Sequence, residues 1–421
     1  MTLEVLTFND VIIVPGRAER EPSEVSLEAS ITRSIRISIP LLSSPMDTVT
    51  EDRLAILLAR VGAVGVIHRN LGPEEQARMV GRVKSADPRP EAEAPAVASI
   101  EEARKVVAEG LPAVVKSGDR VELVVLPPGS DYKVLGVKAE LLHQLLSDGV
   151  RPSIDDKGRL IVGAAVSPFD TSRALLLEKA GTDFLVVDVA HLHNTNAMRA
   201  LRELASKVGL EIVVGNIGTR EAALDLLALL EDRVSGFRAG ISSGSICSTG
   251  VVAGASMPTL TAVANVRSAL EELGLHGSIP IIADGGIRGP GDAAKAIIAG
   301  ASAVMAGRML AGTLEAASRF VRLESGVFKT YRGMASRGAM ERRYASDRYS
   351  KPSKRLEEGV EGLVPYEGSA VRVVAHLYYG LQAALGYAGA GSIPEAWARG
   401  RLAKITPLGY QEISPHDILL R

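Results

Sequence analysis

"GSICST", residues 244–249, carries the only cysteine of the chain, Cys247, set between glycine and small hydroxyl residues and not inside an apolar run. A thiol on a glycine-flanked loop, with backbone N–H groups close by, has the surroundings that stabilise a thiolate and let it attack carbon. The plain alternative is the commoner fate of cysteine, a buried and inert side chain. No histidine adjoins Cys247 to make a Cys–His pair. "AHLHN" (190–194) holds His191 and His193, whose spacing matches no metal site and reads as loop.

Two glycine turns point to phosphate. "ADGGIRGPGD" (283–292) runs from an acid and two glycines into a helix, and "AGRMLAG" (306–312) offers a second turn with Arg308. Glycines let N–H groups approach phosphate oxygens, and a helix N-terminus adds partial positive charge. Asp284, ending an apolar run, fits either a ribose hydroxyl or a helix cap. "SDRYSK" (346–351) brings Arg348 and Tyr349 within a Gly-, Arg- and Tyr-rich stretch, 331–368, long enough to be a lid or binding loop. A solvated basic face is the simpler reading of the same charges.

These residues need a frame, and eight apolar runs supply it: 40–44, 63–68, 160–166, 184–190, 212–216, 236–241, 279–284 and 301–307. Helical patterns alternate with them, several beginning at Thr, Gly or Pro and ending near Gly. Strands apolar on both faces, each followed by a helix, indicate a covered parallel sheet, and eight such units indicate a closed (β/α)8 barrel, a TIM barrel. A doubly wound open sheet is the second choice. In a barrel the ligand lies over the C-terminal strand ends, where Cys247, Asp284 and the glycine turns all fall. The loops after strands 7 and 8 are also where barrels often hold phosphate.

The rhythm breaks at "SADPRPEAEAPA" (85–96), which reads as a linker. We expect barrel over 1–89, a small inserted α+β module over 90–155, and barrel again over 156–421 with a catalytic flap near 331–368. The insertion is too small for a large core and should lean on the barrel or on a neighbouring subunit. After the eighth strand about a hundred residues show no βα rhythm.

With 421 residues and 46% hydrophobic content, the chain can bury a substantial core. Its 48 basic and 49 acidic residues are well mixed. That excludes the one-sided basic field of nonspecific nucleic-acid binding, so small local ligands are expected. One cysteine allows no internal disulfide, no leader pattern opens the chain, and no apolar run reaches membrane-spanning length, so a cytoplasmic location is expected.

Ten stretches in order, "LTFNDVIIVPGRAE", "SSPMDTVTE", "GAVGVIHRNL", "GNIGT", "GSICST", "ADGGIRGPGDAAKAIIAGA", "YRGMASRGAM", "SDRY", "EEGVEGLVPYEG" and "SPHDI", resemble the signatures of the IMP dehydrogenase/GMP reductase family. The resemblance covers almost the whole chain except about 90–155, where the family usually inserts a pair of CBS modules; here the insertion is about half that size. It implies a barrel, usually a homotetramer, whose loop cysteine attacks C2 of a purine nucleotide, with NAD as hydride acceptor and potassium as a further cofactor. By this resemblance Cys247 is the nucleophile, Thr249 contacts the hydrolytic water, Arg348 is the base for hydrolysis and Tyr349 its partner. Nucleotide contacts are implied for Ser44 and Met46, and for Ser245 beside the cysteine. On the phosphate side they fall on Asp284, Gly285, Gly286, Gly307 and Arg308. Along the flap they fall on Tyr331, Gly333, Met334, Ala335 and Glu358. Dinucleotide contacts are implied for Asp188, Val189, Ala190 and Asn216, and for the turn of Gly240, Ile241 and Ser242. Potassium would sit on Ser242, Gly244 and Cys247.

The sister reductase lacks the arginine–tyrosine flap pair, which favours the dehydrogenase. Several departures bear on function. Ser242 replaces the first glycine of the potassium turn, at a cost of about 1–2 kcal/mol if the backbone there is left-handed. Gly250 stands for Gln or Arg, and "GAS" (254–256) for "GVG". Val189 replaces a serine and Leu192 a glycine beside the dinucleotide, and Arg308 replaces a serine beside the phosphate. A GMP-reductase-like enzyme and a purine-nucleotide-binding barrel without turnover therefore stand as alternatives.

Overall fold

Each of the eight apolar runs forms a strand: β1 (Leu41–Ser43), β2 (Gly65–Ile67), β3 (Val162–Val166), β4 (Phe184–Val187), β5 (Glu211–Ile217), β6 (Val234–Ala239), β7 (Ile281–Asp284) and β8 (Ala303–Ala306). The structure is a computed structural model, and it describes residues 3–89, 96–108, 113–117, 120–125, 141–341 and 357–415. Neighbours around the sheet run β1-β8-β7-β6-β5-β4-β3-β2, all parallel. The ring closes between β1 and β2, where Ser43 N donates to Val64 O at 3.0 Å and Val64 N to Leu41 O at 3.1 Å. Sequence order is kept all the way round, so there is no strand-order reversal of the kind a doubly wound sheet requires.

Burial explains why these runs are strands. All of β3, β4 and β6 are buried, as expected where helices cover one face and barrel packing fills the other. Gly163 of β3 sits opposite Phe184 of β4. A Cβ at Gly163 would lie 2.5 Å from the Phe184 ring, so the glycine makes room for one of the bulkiest fully buried side chains.

The covering helices are α1 (Asp52–Arg60), α2 (Pro73–Ser85), α3 (Thr171–Ala180), α4 (Thr195–Ala205), α5 (Arg220–Leu230), α6 (Thr259–Glu272), α7 (Pro290–Ala299) and α8 (Ala370–Tyr387). Local signals start several of them. The Asp170, Asn194, Thr219 and Ser369 side chains cap α3, α4, α5 and α8, and Pro occupies the first turn of α2 and α7. The stretch expected to lack βα rhythm contains α8, which packs between α7 and α1 and completes the ring. Its apolar residues Val371, Val374, Leu377, Tyr378, Leu381 and Leu385 carry the helical period. The flap inserted between β8 and α8 hides that pairing in the sequence. Among the described residues no helix is long and apolar enough to cross a membrane.

Among the described residues, two three-stranded sheets lie outside the barrel. In the inserted segment, Ala96–Val97 pairs with Ala113–Ser117, which pairs with Arg120–Val125; the helix Ile100–Ala108 closes over them around Ala103, Ala113 and Val115. The chain re-enters through a helical turn whose Leu142 and Leu145 join the main core. Beyond β8, Phe320–Leu323, Gly326–Arg332 and Glu361–Pro365 form an antiparallel sheet that carries the base of the flap over the barrel mouth.

Candidate active site

The cleft opens at the C-terminal ends of the strands. Its floor is an ion network: Arg238 of β6 donates from Nε to Asp284 Oδ2 at 2.8 Å and from Nη1 to Asp188 Oδ1 at 3.1 Å. Asn216 of β5 donates to the same Asp284 oxygen at 2.8 Å, and Arg69 donates to the Asp188 main-chain oxygen at 3.0 Å. Burial opposes the charge on Arg238, but Asp284 and Asp188 outweigh it and raise its pKa further. Neither Arg238 nor Arg69 was singled out from the sequence. The signal was present, as an arginine inside the otherwise apolar run "GFRAGI".

Cys247 stands on the loop after β6, exposed to the cleft, and its Sγ lies 3.4 Å from the hydroxyls of Ser242 and Thr249. Thr249 in turn donates to Glu358 Oε2 at 2.8 Å. Backbone pairing fixes this arrangement. Ser248 N donates to Glu358 O and Val360 N to Ile246 O, both at 3.0 Å, so the cysteine loop zips against 358–360. On the far side of that segment, Glu358 N donates to Ala335 O and Gly333 N to Val360 O. A Cβ at Gly333 would come within 2.9 Å of Ile246 O, so the flap base approaches the loop as closely as glycine permits.

Ser44, Met46, Asp284, Gly285, Tyr331, Gly333, Met334, Ala335 and Glu358 line the cleft with Cys247 and Thr249; Asp188, Ala190, Asn216, Gly240, Ile241, Ser242 and Gly244 line it too, joined by Pro45, Ser243 and Ile246. Ser245 hydrogen-bonds the Tyr331 hydroxyl, and burial pushes the Tyr331 pKa up to about 12. A Cβ at Gly307 would stand 3.0 Å from Tyr331 Oη and 3.1 Å from Met46 Sδ, so a side chain there would press on both. Gly285 and Gly286 are left-handed, with φ of 92° and 74°. Gly286 packs toward Ser243 O and the Phe8 ring. Arg308 departs from the expectation: its guanidinium turns outward to Glu367 at 2.9 Å and lines a separate outer cavity with Arg288, Arg372 and His376. Arg348 and Tyr349 lie outside the described residues.

A second cavity adjoins the first and shares Ala190, Ile241, Thr249 and Glu358 with it. Phe169, Val189, His191, Asn194, Ala197, Thr219 and residues 253–257 complete its mostly apolar wall. Burial, then the neighbouring His193, lowers the pKa of His191 and favours the neutral ring. Thr249, which stands beside Cys247, lines this space as well. Potassium fits poorly. Ser242 is left-handed (φ 59°), its hydroxyl accepts the Gly250 N–H at 2.7 Å across the neck of the loop, and Gly244 O already accepts the Cys247 N–H at 3.0 Å.

The flap base is pinned separately. Arg332 pairs with Asp47, which also accepts from Asn70 at 2.8 Å. Burial would raise the Asp47 pKa, but the bonds from Arg332 and Asn70 prevail and hold it below the usual carboxylate range.

The model of the IMP dehydrogenase / GMP reductase domain matches residues 5–416. Among curated proteins, the chain is 42% identical to the inosine-5'-monophosphate dehydrogenase of Korarchaeum cryptofilum, over 98% of this chain and 96% of that protein. It is 40% identical to that of Thermoplasma acidophilum, over 99% and 95%, and 38% identical to that of Cryptosporidium parvum, over 98% and 95%. With a closed barrel, a cysteine at its mouth and family coverage from end to end, the chain belongs to the IMP dehydrogenase/GMP reductase family.

Proposed function

We propose that this chain is an NAD-dependent IMP dehydrogenase acting in guanine nucleotide synthesis. The observation that carries this reading is the exposed Cys247 Sγ in the first cavity, with Thr249 and Glu358, which line both cavities, aligned behind it. In the cleft, the Gly285–Gly286 and Gly307 turns and the Ser245–Tyr331 pair would hold the nucleotide phosphate, and Asp284 the ribose. Asp188, Val189, Ala190, Asn216, Gly240 and Ile241 would face the dinucleotide.

The chemistry follows from these places. Thr249 can pass the thiol proton toward the Glu358 carboxylate, and the thiolate then adds to C2 of the purine, which becomes tetrahedral. The hydride that leaves C2 would be taken up by NAD held beside the cleft. The nucleotide remains joined to Cys247 through a C2–S bond until water adds to C2 and the thiolate departs as XMP forms. Arg348 and Tyr349 belong to this hydrolytic step in our proposal, brought in by the flap; an arginine base requires its neighbours and exclusion of water to lose its proton. A homotetramer is part of the same proposal.

Purified protein given IMP and NAD should yield NADH and XMP in equal amounts. Absence of both removes the reading, and ammonia released from GMP with NADPH would establish the reductase in its place.

A further inference from the structure

The neck of the cysteine loop is closed by one side chain. Ser242 opens the loop and Gly250 ends it, and the Ser242 hydroxyl accepts the Gly250 N–H at 2.7 Å. The same oxygen stands 3.4 Å from Cys247 Sγ, so a single hydroxyl touches the start, the middle and the end of the loop. Ser242 holds this position with φ of 59°, and apart from Glu231 it is the only non-glycine residue with positive φ among those described. Left-handed serine is unfavourable, and such conformations persist where surrounding structure over-determines them. The gain that offsets it here is visible: a side chain where glycine would leave none, spent on two bonds across the loop.

Space around Gly250 agrees. A Cβ at Gly250 would lie 3.3 Å from Ser242 Oγ and 3.2 Å from the Ser256 side chain, a tight fit that would press on the clasp. Ser242 and Gly250 are thus a matched pair, and both depart from the family pattern at the turn where relatives are expected to bind a monovalent cation.

We propose that Ser242 is the positioning residue of the nucleophile loop, and that its hydroxyl organises residues 242–250 in place of a monovalent cation. This inference rests on the reading of Cys247 as the nucleophile only for its importance, because loop order can be measured without turnover. With the clasp present, the loop holds Cys247 in one exposure whatever the cation; with the hydroxyl removed, a glycine turn remains whose order depends on an ion supplied from solution.

The test is the rate at which iodoacetamide alkylates Cys247, followed by intact mass, in potassium chloride and in choline chloride of equal ionic strength. Wild type should react at the same rate in both salts. Ser242→Gly keeps a residue at ease with φ of 59° and should fold; in choline its rate should shift by roughly fivefold, the weight of one lost hydrogen bond. Potassium should restore it, a rescue that a residue serving only general stability does not give. Thermal unfolding of the variant checks that it is folded. A wild-type rate that responds to potassium overturns the proposal, and so does a Ser242→Gly rate equal to wild type in both salts. Since neither arm uses IMP or NAD, failure here leaves the dehydrogenase reading standing, and failure of turnover leaves this one standing.

Discussion

Thr249 donates its hydroxyl proton to Glu358 at 2.8 Å while its oxygen stands 3.4 Å from Cys247 Sγ. The thiol, the hydroxyl and the carboxylate therefore form a line along which a proton can leave sulfur without any histidine. Thr249→Val and Glu358→Gln both break this line at nearly constant volume. Each should lower kcat on the order of 10²-fold, as loss of a positioned proton acceptor does, with little effect on thermal unfolding. Steady-state NADH formation across pH measures it, and kcat within a few-fold of wild type in both variants would remove the relay.

Arg238 joins the two acids of the cleft floor from a site only 5% exposed. Replacing it by Met removes the cation that Asp188 and Asp284 share, leaving Asp284 with Asn216 and Asp188 with Arg69, and breaking a buried ion pair from one side costs about 3–5 kcal/mol. Denaturant unfolding should show that loss for Arg238→Met. Arg238→Lys should recover only part of it, because an ammonium lacks the planar fork that reaches both carboxylates. A loss below about 1 kcal/mol would mean the network relaxes around the gap.

Asp47 ties the flap base to the barrel through Arg332. Its carboxyl is held below the ordinary value, so the pair contributes stability above about pH 4 and loses it as pH falls through the lowered value. Asp47→Asn should cost about 2 kcal/mol at neutral pH, raise the KM for the nucleotide through a looser flap, and converge with wild type in acid. Unfolding curves compared from pH 7 to strongly acid conditions provide the check. A difference independent of pH would assign the loss to packing.

How much of this was legible in the sequence depends on the range over which each feature is encoded. The eight strands were, because a strand buried on both faces is an apolar run whatever surrounds it. Cys247 stood out by its setting, and the left-handed demand at Ser242 was anticipated from a glycine expected there. Helix α8 is hard to assign to the barrel although its apolar period is plain, since the flap separates it from β8. Arg238 was hidden inside a run counted as apolar, and its meaning lies in Asp188 and Asp284, about fifty residues away on either side. The side chain of Arg308 shows the remaining limit: composition placed it beside a phosphate turn, but only packing decides that it turns to Glu367.

Catalysis as proposed passes through a covalent bond between Cys247 and the purine. Wild-type protein incubated with IMP and NAD, quenched in acid and digested, should yield the peptide of residue 247 carrying the mass of the nucleotide. Cys247→Ala should still bind IMP and form no adduct. An unmodified Cys247 peptide recovered while NADH accumulates would contradict the account, because hydride would then leave C2 without the sulfur.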